Sequence, residues 1–223
     1  MANYNMVCYT LQYKKGFSVK NNLLLGKNIY IFRHSIPGWI ADIPKDKTNA
    51  DAMRNWENKI NARIDIATKT PGNMELDDDG FRLINSITDG LAKRGAKPQS
   101  IWSQGLRRHD QTAEGVARKL GIGPVKYLDD VERLFLMEEA AGQPFDESTD
   151  KLIEHLASDS ATSIAVCISR PTISAFIERI TGKVIPIEQI TYSSLYHIDE
   201  KGNLDPINHQ LDFVKYLNQL SRD

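Results

Sequence analysis

The 223-residue sequence contains few of the features that mark secreted or membrane-spanning proteins. It has only two cysteines, Cys8 and Cys167. Because Cys167 lies inside an apolar run, we expect a buried, reduced thiol, with a disulfide to Cys8 as the alternative. No apolar stretch approaches the ~18 residues of a membrane-spanning helix, and the amino terminus lacks the basic and then apolar pattern of a signal peptide. We therefore expect a cytoplasmic protein with no membrane partner.

The sequence also has little excess charge of either sign. Its 28 basic and 29 acidic side chains give a formal net charge of −1. Binding to nucleic acid usually needs a broad positive field, so we expect no nucleic-acid partner, and any anion site must be a local group of arginines. We find no His and Cys cluster at metal-ligand spacing and no glycine-rich phosphate loop after a strand. We therefore expect neither a metal nor another cofactor; the oligomeric state is not indicated.

Apolar runs and helical periodicities alternate along the chain, which predicts an α/β fold. The run at 164–168 has no polar alternation, so we place it in the middle of the sheet, covered on both faces. We divide the chain into an amino-terminal arm at 1–27 and a single domain at 28–223 with an insertion at about 36–75. The predicted strands are 29–32, 100–103, 126–128, 164–168 and 190–198. A helix of about 15 residues is predicted to end near Gly95. The other predicted helices are 51–67, 108–120, 150–157, 171–181 and 210–220.

The tripeptide Arg33-His34-Ser35 directly follows the apolar run 29–32. A strand that ends in Arg-His places an imidazole and a guanidinium at the carboxyl edge of the sheet, where open α/β folds bind their ligands. A neutral imidazole is a good nucleophile toward phosphorus, and guanidinium groups can hold the charged oxygens of a transferring phosphoryl group. The tripeptide thus indicates phosphate chemistry, although a solvated strand end is the simpler explanation of an Arg-His pair taken alone.

A second predicted strand, 100–103, leads into a segment with a distinctive spacing of Ser103, Arg108, Gln111, Thr112 and Ala113. Together with Arg-His, this segment resembles the histidine phosphatase superfamily, also called phosphoglycerate mutase-like, which carries Ser-x-x-x-x-Arg-x-x-Gln-Thr-Ala. Residues 76–80 are similar to the Leu-Thr-x-x-Gly segment of that family. The resemblance covers about residues 28–200 and is closest in form to the bacterial phosphohistidine phosphatase branch. It implies a three-layer sandwich, with a central, mostly parallel sheet flanked by helices.

The resemblance implies that His34 forms a phosphohistidine, which water then hydrolyses, while Arg33 and Arg108 hold the phosphoryl oxygens. Arg108 could instead be an exposed residue at the start of a helix. A positive charge at a helix start opposes the helix dipole, and this mismatch favours the ligand role.

The chain departs from the family at the second histidine, which binds the phosphoryl group and stabilises it in the transition state. Alignment on Thr172-Ile173 puts Ser169 at that position. Losing one such donor typically costs ~3 kcal/mol. Ser169 can still donate a neutral hydrogen bond, and Arg170 is a second candidate for binding phosphate, but neither is an equivalent replacement for the histidine. The other histidines that could compensate, each more simply a surface or helix-cap residue, are His109, His197 and His209.

The general acid is the second departure. Many family members carry Glu in a Leu-x-Glu segment, and the corresponding residues here, 134–136, have Leu in its place. We take Glu138 as the candidate acid, with Glu132 and Glu139 as nearby alternatives. A solvated acidic face is the simpler explanation of any one of them.

These features predict a phosphatase-like hydrolase that acts on a phosphomonoester or a phosphohistidine, in a small molecule or a phosphoprotein. Replacement of the second histidine could impair its turnover. Two alternatives stay open: a phosphate-binding pseudoenzyme, and a site reassigned to other chemistry in a specialised pathway. Retention of His34 argues against a simple scaffold, whereas Ser169 argues against an ordinary phosphatase.

Overall fold

A computed structural model describes residues 23–35, 75–76, 78–190 and 192–208. The predicted helices at 51–67 and 210–220, Cys8, His209 and nearly all of the 36–75 insertion lie outside these residues. The described elements, in chain order, are β1 (Asn28–Arg33), α1 (Asp78–Lys93), β2 (Ser100–Ser103), α2 (Arg107–Leu120), β3 (Lys126–Tyr127), α3 (Asp129–Ala141), α4 (Asp146–Ser158), β4 (Ser163–Ile168), α5 (Arg170–Thr181), a 3-10 helix (Ile187–Gln189), β5 (Leu195–Ile198) and β6 (Leu204–Asn208).

The six strands form one sheet in the order β3-β2-β4-β1-β5-β6. Strands β1 to β4 run parallel, β5 is antiparallel to β1, and β6 is antiparallel to β5. The apolar run 164–168 lies in β4, between β2 and β1, and all five residues are fully buried. This confirms both the predicted α/β fold and the central position of that strand.

Alternate side chains of β1 and β4 pack on opposite faces of the sheet, as the twofold period of a strand requires. One face packs against α4 and α5, where Leu152, Ile153, Phe176 and Ile177 are buried. The other face packs against α1 and α2, whose buried residues include Ile84, Ile87, Leu91 and Val116. The sheet therefore has helices on both sides, and the predicted three layers are confirmed.

Two predicted helices have the boundaries that their end signals indicate. Helix α2 ends at Leu120, and Gly121 follows with φ 66°, a left-handed conformation that glycine adopts without steric cost. Helix α5 has Pro171 in its first turn, where the missing N–H has no helical partner to lose.

Three parts of the chain differ from the prediction. Helix α3 was missed because Glu132 and Glu138 lie on its buried face and interrupt the apolar period. The segment 190–198 is a strand only from Leu195, because a turn at Ser193, with φ 57°, precedes it. Strand β6 was also missed, since Asp205 and Pro206 are poor strand formers and are tolerated there because β6 lies at the sheet edge.

The described end of the amino-terminal arm packs against the domain. Leu24 is buried in the core, and the Gly26 N–H donates to the carbonyl of Glu200 at 3.0 Å. Lys27 Nζ donates to the carbonyl of Ala161 at 2.8 Å and to that of Asp159. Residues 24–27 are thus fixed to the turns that flank β4 and β5.

Cys167 is fully buried with a free thiol. Over the described ranges, the helices are too short or too polar to cross a bilayer.

Candidate active site

The carboxyl ends of β1, β2 and β4 bring the predicted motif residues to one edge of the sheet. Arg33 pairs with Ile168 in the β1-β4 register, so His34 and Ser169 occupy the next positions on neighbouring strands. Helix α2, which carries Arg108, starts shortly after β2 at the same edge. Because β5 runs antiparallel to β1, Tyr192, which precedes β5, also lies at this edge.

His34 is held as a neutral imidazole with its Nε2 lone pair directed at a guanidinium. The residue is 6% exposed. Its Nδ1 lies 2.7 Å from the Ser35 carbonyl, which can only accept, so Nδ1 carries the proton. Nε2 is then the acceptor for Arg108 Nε at 3.3 Å. Burial, together with His109 and the two arginines, lowers the pKa of His34 well below its usual range. An uncharged Nε2 is the form of histidine that can attack phosphorus.

Ser35 ties the end of β1 to two helices. Its N–H donates to Thr112 Oγ1 at 3.0 Å, and its hydroxyl donates to the Gly80 carbonyl at 2.6 Å. Thr112 Oγ1 in turn donates to the Arg108 carbonyl at 2.7 Å. The Thr of the Gln-Thr-Ala segment therefore fixes the geometry between His34 and Arg108.

Arg33 is buried beside Tyr192. Its Nη1 donates to the Ile190 carbonyl at 2.9 Å, and its guanidinium lies 3.7 Å from the centroid of the Tyr192 ring. Burial lowers the pKa of Arg33 to about 10, so the side chain stays charged at neutral pH. The Tyr192 ring also contacts His34 edge to face, with centroids 5.4 Å apart.

Adjacent arginines at the start of α2 have different environments. Arg108 is half-buried against His34, and burial lowers its pKa although Glu132 opposes that effect. The Arg107 side chain is 49% exposed and forms an ion pair with Glu75 at 3.2 Å. A substitution at Arg107 can therefore serve as the control for the same substitution at Arg108.

Ser169 lies at the edge of the sheet but its hydroxyl is already engaged. The Ser169 N–H donates to Gln104 Oε1 at 2.6 Å, and its Oγ shares a hydrogen bond with Thr172 Oγ1 at 2.8 Å. Either hydroxyl can be the donor in that pair, so Ser169 can accept from Thr172 and donate to a ligand. Arg170 is exposed at the first position of α5, and its charge contributes to the lowered pKa of Arg33.

Glu138, the sequence-predicted acid, is placed elsewhere by the structure. Its carboxylate accepts hydrogen bonds from the N–H groups of Glu147 at 2.7 Å and Ser148 at 3.3 Å, and from the Ser148 hydroxyl. These bonds cap the amino terminus of α4. The oxygens of Glu138 are thus occupied in joining α3 to α4, and these contacts do not support its predicted role as the acid.

Glu132 is a buried acidic residue whose charge is felt by Arg108. It lies one turn into α3, is 7% exposed, and interacts electrostatically with Arg108. Burial raises the pKa of Glu132 to about 7, although Arg108 and the Gln104 amide favour its charged form. A carboxyl group with that pKa is protonated in about half of the molecules at neutral pH, as a general acid requires.

Of the other described histidines considered from the sequence, His109 lies beside His34 and His197 lies away from the site. His109 is fully buried beside His34, with ring centroids 4.8 Å apart and planes at 84°. His197 stacks on Tyr30 and bonds to Asn28 Oδ1 at 2.8 Å, near the amino end of β1, so it does not join the site.

Sequence reasoning missed Gln104 and Tyr192. Gln104 directly follows β2, and its position after a strand is the one signal that could have identified it. The place of Tyr192 depends on the antiparallel return of β5, for which the local sequence gives no signal. In the part of the chain that the structure describes, no group of three His, Cys, Asp or Glu side chains could hold a metal ion.

No family model matches the sequence, and no curated protein matches it. Solved structures do match. That of SixA from Agrobacterium tumefaciens, a candidate phosphohistidine phosphatase, has a TM-score of 0.51 and 17% identity, covering 82% of this chain and 96% of that chain. A candidate alpha-ribazole-5'-P phosphatase from Escherichia coli has a TM-score of 0.49 and 13% identity, covering 82% and 96%. A phosphoglycerate mutase from Bacillus anthracis has a TM-score of 0.47 and 13% identity, covering 88% and 97%. The SixA match confirms the predicted phosphoglycerate mutase-like fold.

Proposed function

We propose that the protein is a phosphatase-like hydrolase that acts on a phosphomonoester or a phosphohistidine through a phosphohistidine at His34. The observation that carries this proposal is the environment of His34. Its Nδ1 is fixed as a donor by the Ser35 carbonyl, which leaves Nε2 as the nucleophile. Arg108 contacts that atom and Arg33 is the preceding residue, so positive charge is concentrated where a phosphoryl group would be transferred.

In the first step, His34 Nε2 attacks the phosphorus atom and the bond to the leaving group breaks. Arg108 transfers its hydrogen bond from Nε2 to a phosphoryl oxygen, and Arg33 holds a second oxygen. Glu132, in its protonated form, gives its proton to the leaving oxygen or nitrogen. The products are phosphohistidine, a Glu132 carboxylate and the dephosphorylated leaving group.

In the second step, water attacks the phosphohistidine and the bond between phosphorus and Nε2 breaks. The Glu132 carboxylate accepts the proton of the attacking water, which restores the acid. Inorganic phosphate leaves, and the neutral His34 is regenerated. A carboxyl pKa of about 7 suits both roles, since the group must give and take a proton in one cycle.

Ser169 and Arg170 complete the proposed phosphate site. The Ser169 hydroxyl accepts from Thr172 and donates to a phosphoryl oxygen, which the reversible direction of their bond allows. Arg170, exposed at the rim, contacts the outer anionic part of a phosphorylated substrate. The substrate is a small molecule or a phosphoprotein.

The test is hydrolysis of a generic aryl phosphate and of a phosphohistidine peptide by the native protein and two variants. His34→Asn removes the nucleophile but keeps an amide that can donate to the Ser35 carbonyl, so it should fold. His155→Asn changes a half-buried histidine on α4 and serves as the control. We expect turnover in the native protein and in His155→Asn, and none above background in His34→Asn.

The phosphate-binding alternative is supported by one observation, the engaged hydroxyl of Ser169 at a site where a charged donor would be more effective. It predicts that inorganic phosphate binds to the native protein while neither substrate is hydrolysed. Turnover that persists in His34→Asn would contradict both proposals.

A further inference from the structure

His109 lies in the interior beside the proposed nucleophile with its polar atoms unused. It is fully buried, and neither Nδ1 nor Nε2 has a hydrogen-bond partner among the described residues. Its ring contacts the His34 ring in a T-shaped arrangement, with centroids 4.8 Å apart. It directly follows Arg108 on α2. An unpaired polar side chain therefore packs against the ring that the proposed mechanism phosphorylates.

Such a side chain needs a physical explanation. A buried imidazole always has at least one N–H group, and leaving that donor unpaired destabilises the folded protein. Burial, Arg108 and Arg33 lower the pKa of His109 well below its usual range, so the ring is neutral and keeps one N–H. An apolar residue of similar size would fill the same volume without that penalty.

A phosphoryl group on His34 would supply the missing acceptor. In the free protein, Arg108 Nε occupies the position next to His34 Nε2. A group bonded to that nitrogen displaces the Arg108 contact and brings anionic oxygens into the space beside the His34 ring. His109 contacts the ring that borders that space and has an N–H with no partner among the described residues.

We propose that His109 is a further catalytic residue, which donates its imidazole N–H to a phosphoryl oxygen during transfer to and from His34. This inference rests on the proposed function. It adds a second neutral donor, His109 in the first turn of α2, to the Ser169 hydroxyl at the end of β4.

The test compares His109→Leu, which fills the space without a donor, with His109→Gln, which keeps an N–H. Removal of one transition-state donor typically lowers kcat by a factor of about 100 or more. We expect that loss in His109→Leu with a much smaller change in KM, and partial recovery in His109→Gln. Thermal melting should show His109→Leu to be at least as stable as the native protein, since an unpaired polar group has been removed.

A second measurement does not depend on turnover. The imidazole N–H proton of His109 is followed by NMR in the native protein while inorganic phosphate is added, and phosphate affinity is measured by calorimetry in all three proteins. We expect the resonance to move downfield and the affinity to fall about tenfold in His109→Leu. An unmoved resonance, or native kcat and phosphate affinity in His109→Leu, would overturn the inference.

The two proposals fail separately. If the native protein binds phosphate through His109 but shows no His34-dependent turnover, the proposed function fails and the contact stands as an anion site. If turnover depends on His34 and His109→Leu matches the native protein, the inference fails and the function stands. A native protein that neither binds phosphate nor hydrolyses the substrates contradicts both.

Discussion

Glu132 makes the stability of the protein depend on pH in a direction that can be measured without a substrate. The structure raises the pKa of its carboxyl group from 4.5 to about 7, chiefly by burial. At low pH the group is protonated in the folded and the unfolded chain and has no effect. As the pH rises from the unfolded value to the folded one, the unfolded chain ionises first, so the free energy of unfolding falls. The loss is complete above the folded pKa.

The size of that loss follows from the two pKa values. Raising a carboxyl pKa from 4.5 to about 7 corresponds to about 3 kcal/mol at high pH. Glu132→Gln keeps the shape and removes the titration. The variant should therefore gain stability relative to the native protein as the pH increases, and the gain should differ by about 2.5 kcal/mol between pH values near 5 and near 8.

The assay is urea denaturation of both proteins at the two pH values, because the other titrating groups are common to both and cancel in the difference. Glu154→Gln, an exposed change on α4, is the control and should shift stability by less than about 0.5 kcal/mol at either pH. A Glu132→Gln difference that is equal at the two pH values would refute the argument, since the folded carboxyl group would then titrate as it does in the unfolded chain.

Three further predictions separate catalytic from structural contacts. Arg108→Lys should lower turnover about 100-fold, because the planar donor next to His34 Nε2 is lost, while Arg107→Lys should leave turnover nearly unchanged; equal effects in steady-state assays would contradict the assignment. Glu138→Gln should destabilise the protein to urea by about 1–2 kcal/mol without changing kcat, because it weakens the cap of α4. Burial alone would raise the pKa of Asp159, but the hydrogen bond from Lys126 and other hydrogen bonds hold that pKa below its usual range. The Asp159 carboxylate therefore stabilises the fold above the unfolded pKa, and this stabilisation is lost as the pH falls. Asp159→Asn should therefore cost about 1–3 kcal/mol at neutral pH and less in acid, and a penalty independent of pH in urea titrations would count against this assignment.

The sheet could be predicted largely because its central strands carry uninterrupted apolar runs. The run at 164–168 is buried on both faces, so its sequence has no alternation to obscure the strand. Gly121 predicted where α2 ends and Pro171 predicted where α5 begins, because their backbone preferences act locally. In each case a short segment contains the physical cause of the structure.

The parts that could not be predicted depend on contacts between distant segments. Helix α3 was missed since Glu132 and Glu138 occupy its buried face; Glu132 interacts electrostatically with Arg108, and Glu138 bonds to the start of α4. The same contacts explain why the sequence alone does not distinguish Glu132 from Glu138 as the candidate acid. Spacing along the chain cannot tell which of two buried carboxyl groups interacts electrostatically with a guanidinium and which bonds to a helix end.

The most direct test of the central claim is detection of the phosphorylated intermediate. The native protein is mixed with a phosphohistidine peptide or an aryl phosphate, quenched in alkali, in which phosphohistidine survives, and digested for mass spectrometry. We predict a phosphoryl group on the peptide that contains His34, formed and lost at rates that match turnover, and absent from His34→Asn. Substrate hydrolysis without any phosphoryl group on His34, or at an undiminished rate in His34→Asn, would contradict the account.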